Sequence, residues 1–340
     1  MARLTERWTD DDLAQALGCV QESATIKDGL ALFAERTGRT LPYRTFKHNC
    51  VARKIEPAKH IGGHAVAFER KFADVVRAMP PADDGPKPKA PTPGETQRIL
   101  ICPDVHVPYQ HAESWETFLA VARAWRPHVL VILGDFADFY CVSSFPKDPS
   151  RRLTFQEETL LANRELDRVL ALNIPRVIYC EGNHETRLSR YIAKNAAAFH
   201  GVIDARHLLQ FDRRAGWEWV PYGQHIEIGK LSFSHDVGFA GVYAARQSVA
   251  AFGHNIIFGH THRAQCHYES TVHGDRHVGW TMGWLGDPSA IDYRHRARVM
   301  RESQHGFGVA HVLDDGTGWV HFAPIIDGRA IVDGKVTQCG

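Results

Sequence analysis

No apolar run in this chain approaches the roughly 18 residues that a bilayer span requires, so no membrane-spanning helix is expected. Net charge is nearly absent as well, at +1. That excludes a global field drawing the chain to nucleic acid or membrane, but leaves room for a local basic patch. None of the seven cysteines forms a Cys-x-x-Cys pair. Their odd count and scatter point to reduced thiols and a cytoplasmic setting rather than to a disulfide framework. The opening MARLTERWTDDDL contains no apolar stretch of the kind a secretory signal carries. What is abundant is histidine, 21 copies in 340 residues. Imidazole is the commonest metal ligand, so the excess is a first pointer to metal chemistry. Apolar and charged contents of 44% and 23% are those of an ordinary globular protein.

Composition breaks once. Residues 79–96, MPPADDGPKPKAPTPGET, hold six prolines among small and charged residues, which reads as an extended linker. It separates a small helical domain, 1–78, from a large domain, 97–326, followed by a tail, 327–340. In the small domain, WTDDDLAQALG opens with Thr9 or Asp10 as a cap and ends at Gly18. TIKDGLALFAERTG places Ile26, Leu30 and Phe33 on one face and stops at Gly38. A third helix, LPYRTFKHNCVARK, would carry Arg44, Lys47, Arg53 and Lys54. Three short helices with glycine-bearing turns resemble the helix-turn-helix units of the Myb/homeodomain-like class, in which the last helix reads a DNA groove. The competing reading is a helical packing module with a solvated basic face.

The large domain alternates strand and helix, then turns strand-rich. RILICPD, HVLVILGD and RVIYCEGN read as strands, with helices over 112–125 and 157–172 between them. WEWVPYG, HIEIGKLSFSH, NIIFGH and GVAHVLDDGTGWVHFAP follow as short strands, the last folding at Asp315-Gly316. The pattern predicts an α/β (α+β) layered sandwich with two packed sheets.

The ends of these strands carry the chemistry. The first runs into Asp104 and His106, the second into Asp135 and Asp138, the third into Gly182, Asn183, His184 and Glu185. LSFSHD ends in His235, and NIIFGHTH in His260 and His262. Layered α/β folds bind ligands at the carboxyl ends of their strands, so each strand would deliver its terminal side chains to one rim. Taken singly, each piece is a common turn or cap. In the order D-x-H, G-D-x-x-D, G-N-H-E, H, G-H-x-H they are specific.

Over about residues 98–325 these five blocks resemble the calcineurin-like metallophosphoesterase superfamily. The resemblance implies a four-layer sandwich of two mixed β-sheets flanked by helices, behind a small all-α N-terminal domain. It also implies two divalent metal ions. Carried over residue by residue, Asp104, His106 and His262 would hold one ion, Asn183, His235 and His260 the other, and Asp135 would bridge them. His184 would be the catalytic histidine, oriented by Asp138. The chain departs from the phosphatase-like branch at Phe139 and Tyr140, where an arginine usually follows the second acid. It departs again at Val107, where glycine is frequent, and at Asp236, in place of His-Gly.

A ligand set mixing imidazole, carboxylate and amide suits Mn2+, with Fe, Zn or Ni as alternatives, rather than Ca2+. Two such ions about 3.5–4 Å apart activate water and clamp an in-line phosphoryl displacement. The expected function is therefore a metal-dependent phosphoric ester hydrolase, acting on nucleic acid as a phosphodiesterase or nuclease. The alternatives are a phosphomonoesterase for protein or small molecules and a DNA-binding module with a retired metal site. A DNA-binding N-terminal unit on a flexible linker would raise the catalytic domain's effective concentration on its target, an arrangement that suits a bacterial or phage protein. Arg187, Arg294 and Arg296 are candidate substrate contacts, the latter two in the cationic run YRHRARVMR. Trp280, Trp284 and Tyr293 read as core rather than as stacking platforms. Oligomeric state is not encoded in any of these features.

Overall fold

The computed structural model describes residues 15, 19–20, 26–37, 94–148, 151, 153–214, 216–290 and 302–339. The chain divides into two compact units, residues 1–78 with 149–153 and residues 79–148 with 154–340. In the first unit, helix α1 spans Ile26–Thr37 and ends one residue before the expected glycine stop. Its Phe33 is buried, as are Cys19 and Val20. The latter two are themselves helical, beyond the end expected at Gly18. The third expected helix, with Arg44, Lys47, Arg53 and Lys54, lies outside the described residues. So do the proline-rich stretch as far as residue 93 and the Arg294–Arg296 run.

The second unit is built on two sheets. In the first, β1 (Gln97–Cys102), β2 (Val129–Ile132), β3 (Arg176–Cys180) and β4 (Trp217–Val220) run parallel. The second holds β5 (Ile226–Ile228), β6 (Leu231–Ser234) and β7 (Ile256–Phe258), joined by the hairpin of β8 (Ala264–Ser270) and β9 (Arg276–Met282). Its strand order is β5-β6-β7-β9-β8. The chain then returns to the first sheet as β10 (Gly306–Val312) and β11 (Gly318–Pro324), which complete the order β11-β10-β1-β2-β3-β4 with antiparallel pairs.

Strand β2, VLVI, is buried along its whole length, as a strand covered on both faces must be. Ile99, Ile101, Val129, Val131, Leu133, Ile178 and Cys180 of the first sheet share one core with Leu231, Phe233, Ile257, Trp280 and Met282 of the second. On the opposite face lie α2 (Ala112–Trp125) and α3 (Phe155–Leu170). Trp115 of α2 stacks on Phe118 at 5.4 Å and meets Phe136 edge-on at 5.7 Å. Helix α3 begins two residues ahead of its expected start. Thr154 caps it, exchanging bonds with Glu157 in a capping box.

Two parts differ from the sequence expectation. Residues 264–282 form the β8–β9 hairpin, which was not anticipated. The expected tail at 327–340 instead folds as a second hairpin, β12 (Arg329–Val332) with β13 (Lys335–Gln338). It is tied to α2, because Thr117 Oγ1 donates to Gly328 O at 2.8 Å and Trp125 Nε1 to Asp333 Oδ2 at 2.7 Å. Trp280 and Trp284 are core residues, 7% and 2% exposed.

Helix α3 turns Glu158 inward beneath the loop that follows β2. The side chain is buried, and one carboxyl oxygen accepts the Cys141 amide at 3.3 Å. Burial, and then the nearby Asp138 carboxylate, push its pKa up to about 8. Between its ordinary value of 4.5 and about 8 the folded chain keeps a proton that the unfolded chain has released. Wild-type stability therefore falls as pH rises through that window. Glu158→Gln removes the titration. Urea midpoints should show the variant gaining on wild type from about pH 4.5 to about pH 8, by as much as roughly 5 kcal/mol, and levelling off above.

Candidate metal centre

Five loops meet at one rim of the two sheets: those after β1, β2 and β3 from the first, and those after β6 and β7 from the second. The first three bring Asp104 and His106, Asp135 and Asp138, and Asn183 and His184. The other two bring His235, and His260 with His262. The loops interlock through their backbones. Val105 N and His106 N both donate to Asp135 O, at 3.1 and 2.9 Å, and Val107 pairs with the 136–138 segment. Four of the rim residues hold positive φ: His106 at 57°, Asp135 at 47°, His260 at 64° and His262 at 58°. Side chains rarely adopt that region, and each case costs about 1–3 kcal/mol that the surroundings must offset.

Glu185 supplies much of that support. Its carboxylate is fully buried and gathers four donors: Asp135 N at 3.0 Å, Ala137 N at 2.9 Å, Gly182 N at 2.9 Å and Tyr179 OH at 2.7 Å. It ties the loop after β2 to the loop after β3. The contact is so close that a methyl group on Gly182 would fall on the amide nitrogen and Oδ1 of Asp135. A methyl group on Gly259 would likewise fall on Asp104 Oδ1. The two glycines let backbone approach carboxylate where no side chain fits.

Within this frame the side chains gather in two groups. Asp104, His106 and His262 bring ligand atoms within 4.8 Å of one another, as do Asp135, His235 and His260. Asn183 joins the second group, its Oδ1 lying 3.0 Å from His235 Nε2 and 2.7 Å from His260 Nδ1. His184 lies between the groups, its Nε2 3.7 Å from Asp135 Oδ2. All nine sequence-nominated rim residues, Asp138 included, are thus brought to one place.

The donor set fits divalent cations. Backbone amides take one oxygen of each key carboxylate: His260 N donates to Asp104 Oδ1 at 3.1 Å and His184 N to Asp135 Oδ1 at 2.8 Å. The other oxygen of Asp104 is buried without a hydrogen bond and faces His262 Nε2 at 3.2 Å. Leu133 O lies 2.7 Å from His235 Nδ1. That contact sets a proton on Nδ1 and aims Nε2 at Asn183 and Asp135. His106 Nε2 and His262 Nε2 meet at 3.1 Å, two ring nitrogens turned toward one point. Trp284 stacks on His262 at 4.5 Å and 13° between planes, fixing that ring.

Electrostatics reinforce the geometry. Burial opposes ionisation of Asp135, but His184 and His235 beside it outweigh burial and hold its carboxyl well below the usual range. Asp138 behaves in the same way, with His184 and His106 as its partners. Burial also works against charge on His235, yet Asp135 pushes its pKa up to about 10. The pocket is built to accept positive charge.

Asp138 does more than orient one histidine. Its Oδ2 lies 3.2 Å from His106 Nδ1 and 3.3 Å from His184 Nδ1, while Oδ1 accepts from Arg187 Nη1 at 3.1 Å. Arg187 also donates from Nη1 to Asp138 O at 2.9 Å and from Nη2 to His184 Nε2 at 2.8 Å. Burial lowers the His184 pKa against the pull of Asp135 and Asp138. Sequence reasoning placed Glu185 in its block but assigned it no role, and it missed the Trp284–His262 stack. Nothing in a linear motif marks a carboxylate as a four-donor acceptor.

Residues 97–264 match the calcineurin-like phosphoesterase family. The chain is similar to the gene 54 protein of Mycobacterium phage D29, 26% identical over 260 residues that cover 72% of this chain and 99% of that protein. Among solved structures it is similar to vacuolar protein sorting 29 from Cryptosporidium parvum, at 12% identity and a TM-score of 0.39, covering 72% of this chain and 99% of that one. It is also similar to the E. coli phosphoesterase Yfce, at 13% identity and a TM-score of 0.33, covering 66% and 98%. The family assignment rests on the sequence match: residues 97–264 are a calcineurin-like phosphoesterase domain, that of a metal-dependent phosphoester hydrolase.

Glu185→Gln replaces an acceptor oxygen with an amide that faces a donor. Metal affinity, measured by competition with a chromophoric chelator, should fall about 10–100-fold, as it does when partners of metal ligands are lost. An unchanged affinity would mean that the clamp does not position the ligands.

Proposed function

We propose that this calcineurin-like phosphoesterase domain hydrolyses phosphodiesters, with nucleic acid as the substrate class. The observation that carries the reading is that the guanidinium at the centre among the described residues is already committed. Arg187 is bonded to Asp138 and His184. The positions after Asp138 are the buried aromatics Phe139 and Tyr140, 0% and 6% exposed. A monoester carries roughly two negative charges, and a diester carries one per phosphate. Among the described residues the centre's arginine is already paired, which suits the singly charged group.

In this reading Asp104, His106 and His262 hold one cation, and Asn183, His235 and His260 hold the other. Asp135 lies between them, and Mn2+ is the metal we would supply first. Such ions polarise phosphoryl oxygens and generate a nucleophile from water at neutral pH. The chain's own residues do the rest. Glu185 keeps the Asp135 loop in register, and burial keeps competing water from the Asp104 and Asp135 carboxylates. His184 presents Nε2 to the reacting face while Asp138 holds Nδ1. To act as the acid, His184 exchanges the Arg187 donor at Nε2 for a proton from solvent; it gives that proton to the departing alkoxide oxygen, and Asp138 stabilises the charged ring.

The test compares bis-p-nitrophenyl phosphate, p-nitrophenyl phosphate and labelled single- and double-stranded DNA, with Mn2+ and with chelator, beside Asp135→Asn. Diester and DNA cleavage should require the metal and fall to background in the variant. Turnover confined to the monoester would overturn the reading in favour of a phosphatase. His184→Ala should slow cleavage of an alkoxide-leaving diester by about 10²–10⁴-fold. It should slow a nitrophenolate-leaving diester far less, because nitrophenolate departs without a proton. Equal losses on both would remove His184 from the leaving-group step.

A further inference from the structure

Beside the metal centre the surface opens into a cavity of about 280 Å³ that shares Asn183 and Arg187 with it. One wall is helix α4 (Thr186–Asn195). Arg187, Arg190, Tyr191 and Lys194 recur on it at steps of three and four, so they share one face. Phe145, in the loop after β2, lines the cavity as well. Among the described residues the lining includes three cations and no acid.

These residues are not occupied with the fold. Arg190 and Lys194 are exposed and form no ion pair with another described residue. Phe145 is 70% exposed and Tyr191 45%, so two aromatic rings stand in water at the cavity. Arg187, by contrast, turns inward to Asp138 and His184. The helix therefore divides its cations, one toward the reacting centre and two along the outer cavity. Cations that track a backbone, interleaved with aromatics on which bases stack, form the combination by which single strands are bound. The volume is near the lower end of the roughly 300–1,000 Å³ of small-molecule sites. It admits one unit of a chain and leaves no room for a stacked duplex.

We propose that this cavity is a nucleotide subsite. It takes the nucleotide next to the scissile phosphate, with its base on Tyr191 and Phe145 and its flanking phosphate on Arg190 and Lys194. The assignment rests on the phosphodiester reading for its place in the reaction, and it makes single-stranded ends or gaps the preferred substrate. None of the four residues was singled out by the sequence motifs, because a pocket formed by a helix face and a distant loop has no linear signature.

The experiment uses the full chain and two readouts. The first is the ratio of kcat/KM for thymidine 5′-(p-nitrophenyl phosphate) to that for bis-p-nitrophenyl phosphate. The two diesters share charge and leaving group, so the ratio isolates the nucleotide. Tyr191→Ala should lower it about tenfold. The second is the salt dependence of binding of a fluorescein-labelled thymidine hexanucleotide in chelator, which needs no turnover. Removing two phosphate contacts with Arg190→Ala/Lys194→Ala should flatten the log–log slope by about 1.4. Arg190→Lys should restore its share, since the contact is charge.

An unchanged ratio and slope, with diester turnover intact, would overturn the subsite and leave the phosphodiester reading standing. A flattened slope with an unchanged ratio would overturn the nucleotide assignment in favour of a groove that reads phosphate alone. A flattened slope in a protein that turns over no diester would keep the subsite and sink the reaction.

Discussion

The carboxylate of Glu185 is the point on which the rim depends. Three amide hydrogens and one phenol converge on two buried oxygens. Buried carboxylates are tolerated where their lone pairs are filled in this way. The bonds hold the loop after β2 against the loop after β3, and so place Asp135, Asn183 and His184 relative to one another. Burial and the neighbouring Asp135 work against its charge and push its pKa up. The four donors answer that pressure. The arrangement concentrates negative charge at the rim while leaving the outward oxygens of Asp104 and Asp135 to other partners.

The centre also requires both sheets. Asp104, His106 and Asp135 come from the first, His235, His260 and His262 from the second, and the groups Asp104–His106–His262 and Asp135–His235–His260 each combine residues of both. The coupling is direct. His235 Nδ1 bonds the carbonyl of Leu133, and Leu133 packs in the core between the sheets. His260 N bonds Asp104 Oδ1 across the same seam. Core packing and ligand geometry are therefore one problem. The left-handed backbone at His106, Asp135 and His260 is held by hydrogen bonds between the loops, within the first sheet and across to the second, in the manner of strain stored where function needs it. Farther out, helix α4 adds a division of charge, with one arginine bound inward and two cations left to solvent.

Much of the fold was legible because the physics behind it is local. Helix α2 spans the 112–125 segment that its apolar spacing indicates. The parallel strands show as short uninterrupted apolar runs such as VLVI, which burial on both faces demands. The β8–β9 hairpin was not legible. AQCHYES is half polar and only partly buried, and it lies at a sheet edge where pattern is weak. The β12–β13 hairpin hid for a related reason: its strands are four residues each, and α2, far away in sequence, supplies their partner surface.

The site divides along the same line. The residue types and their place at strand ends are properties of the sequence, because a strand fixes where its last side chain emerges. So Asp104, His106, Asp135, Asn183, His235, His260 and His262 could be nominated from the chain alone. Only the tertiary structure decided what each of them faces. It made Asp138 a partner of His106, His184 and Arg187 together. It buried Glu185 among four donors, stacked Trp284 on His262, and set Arg190, Tyr191 and Lys194 across from Phe145. These relations join residues dozens to hundreds of positions apart. They arise from packing two sheets and a helix together, and no spacing along the chain encodes them.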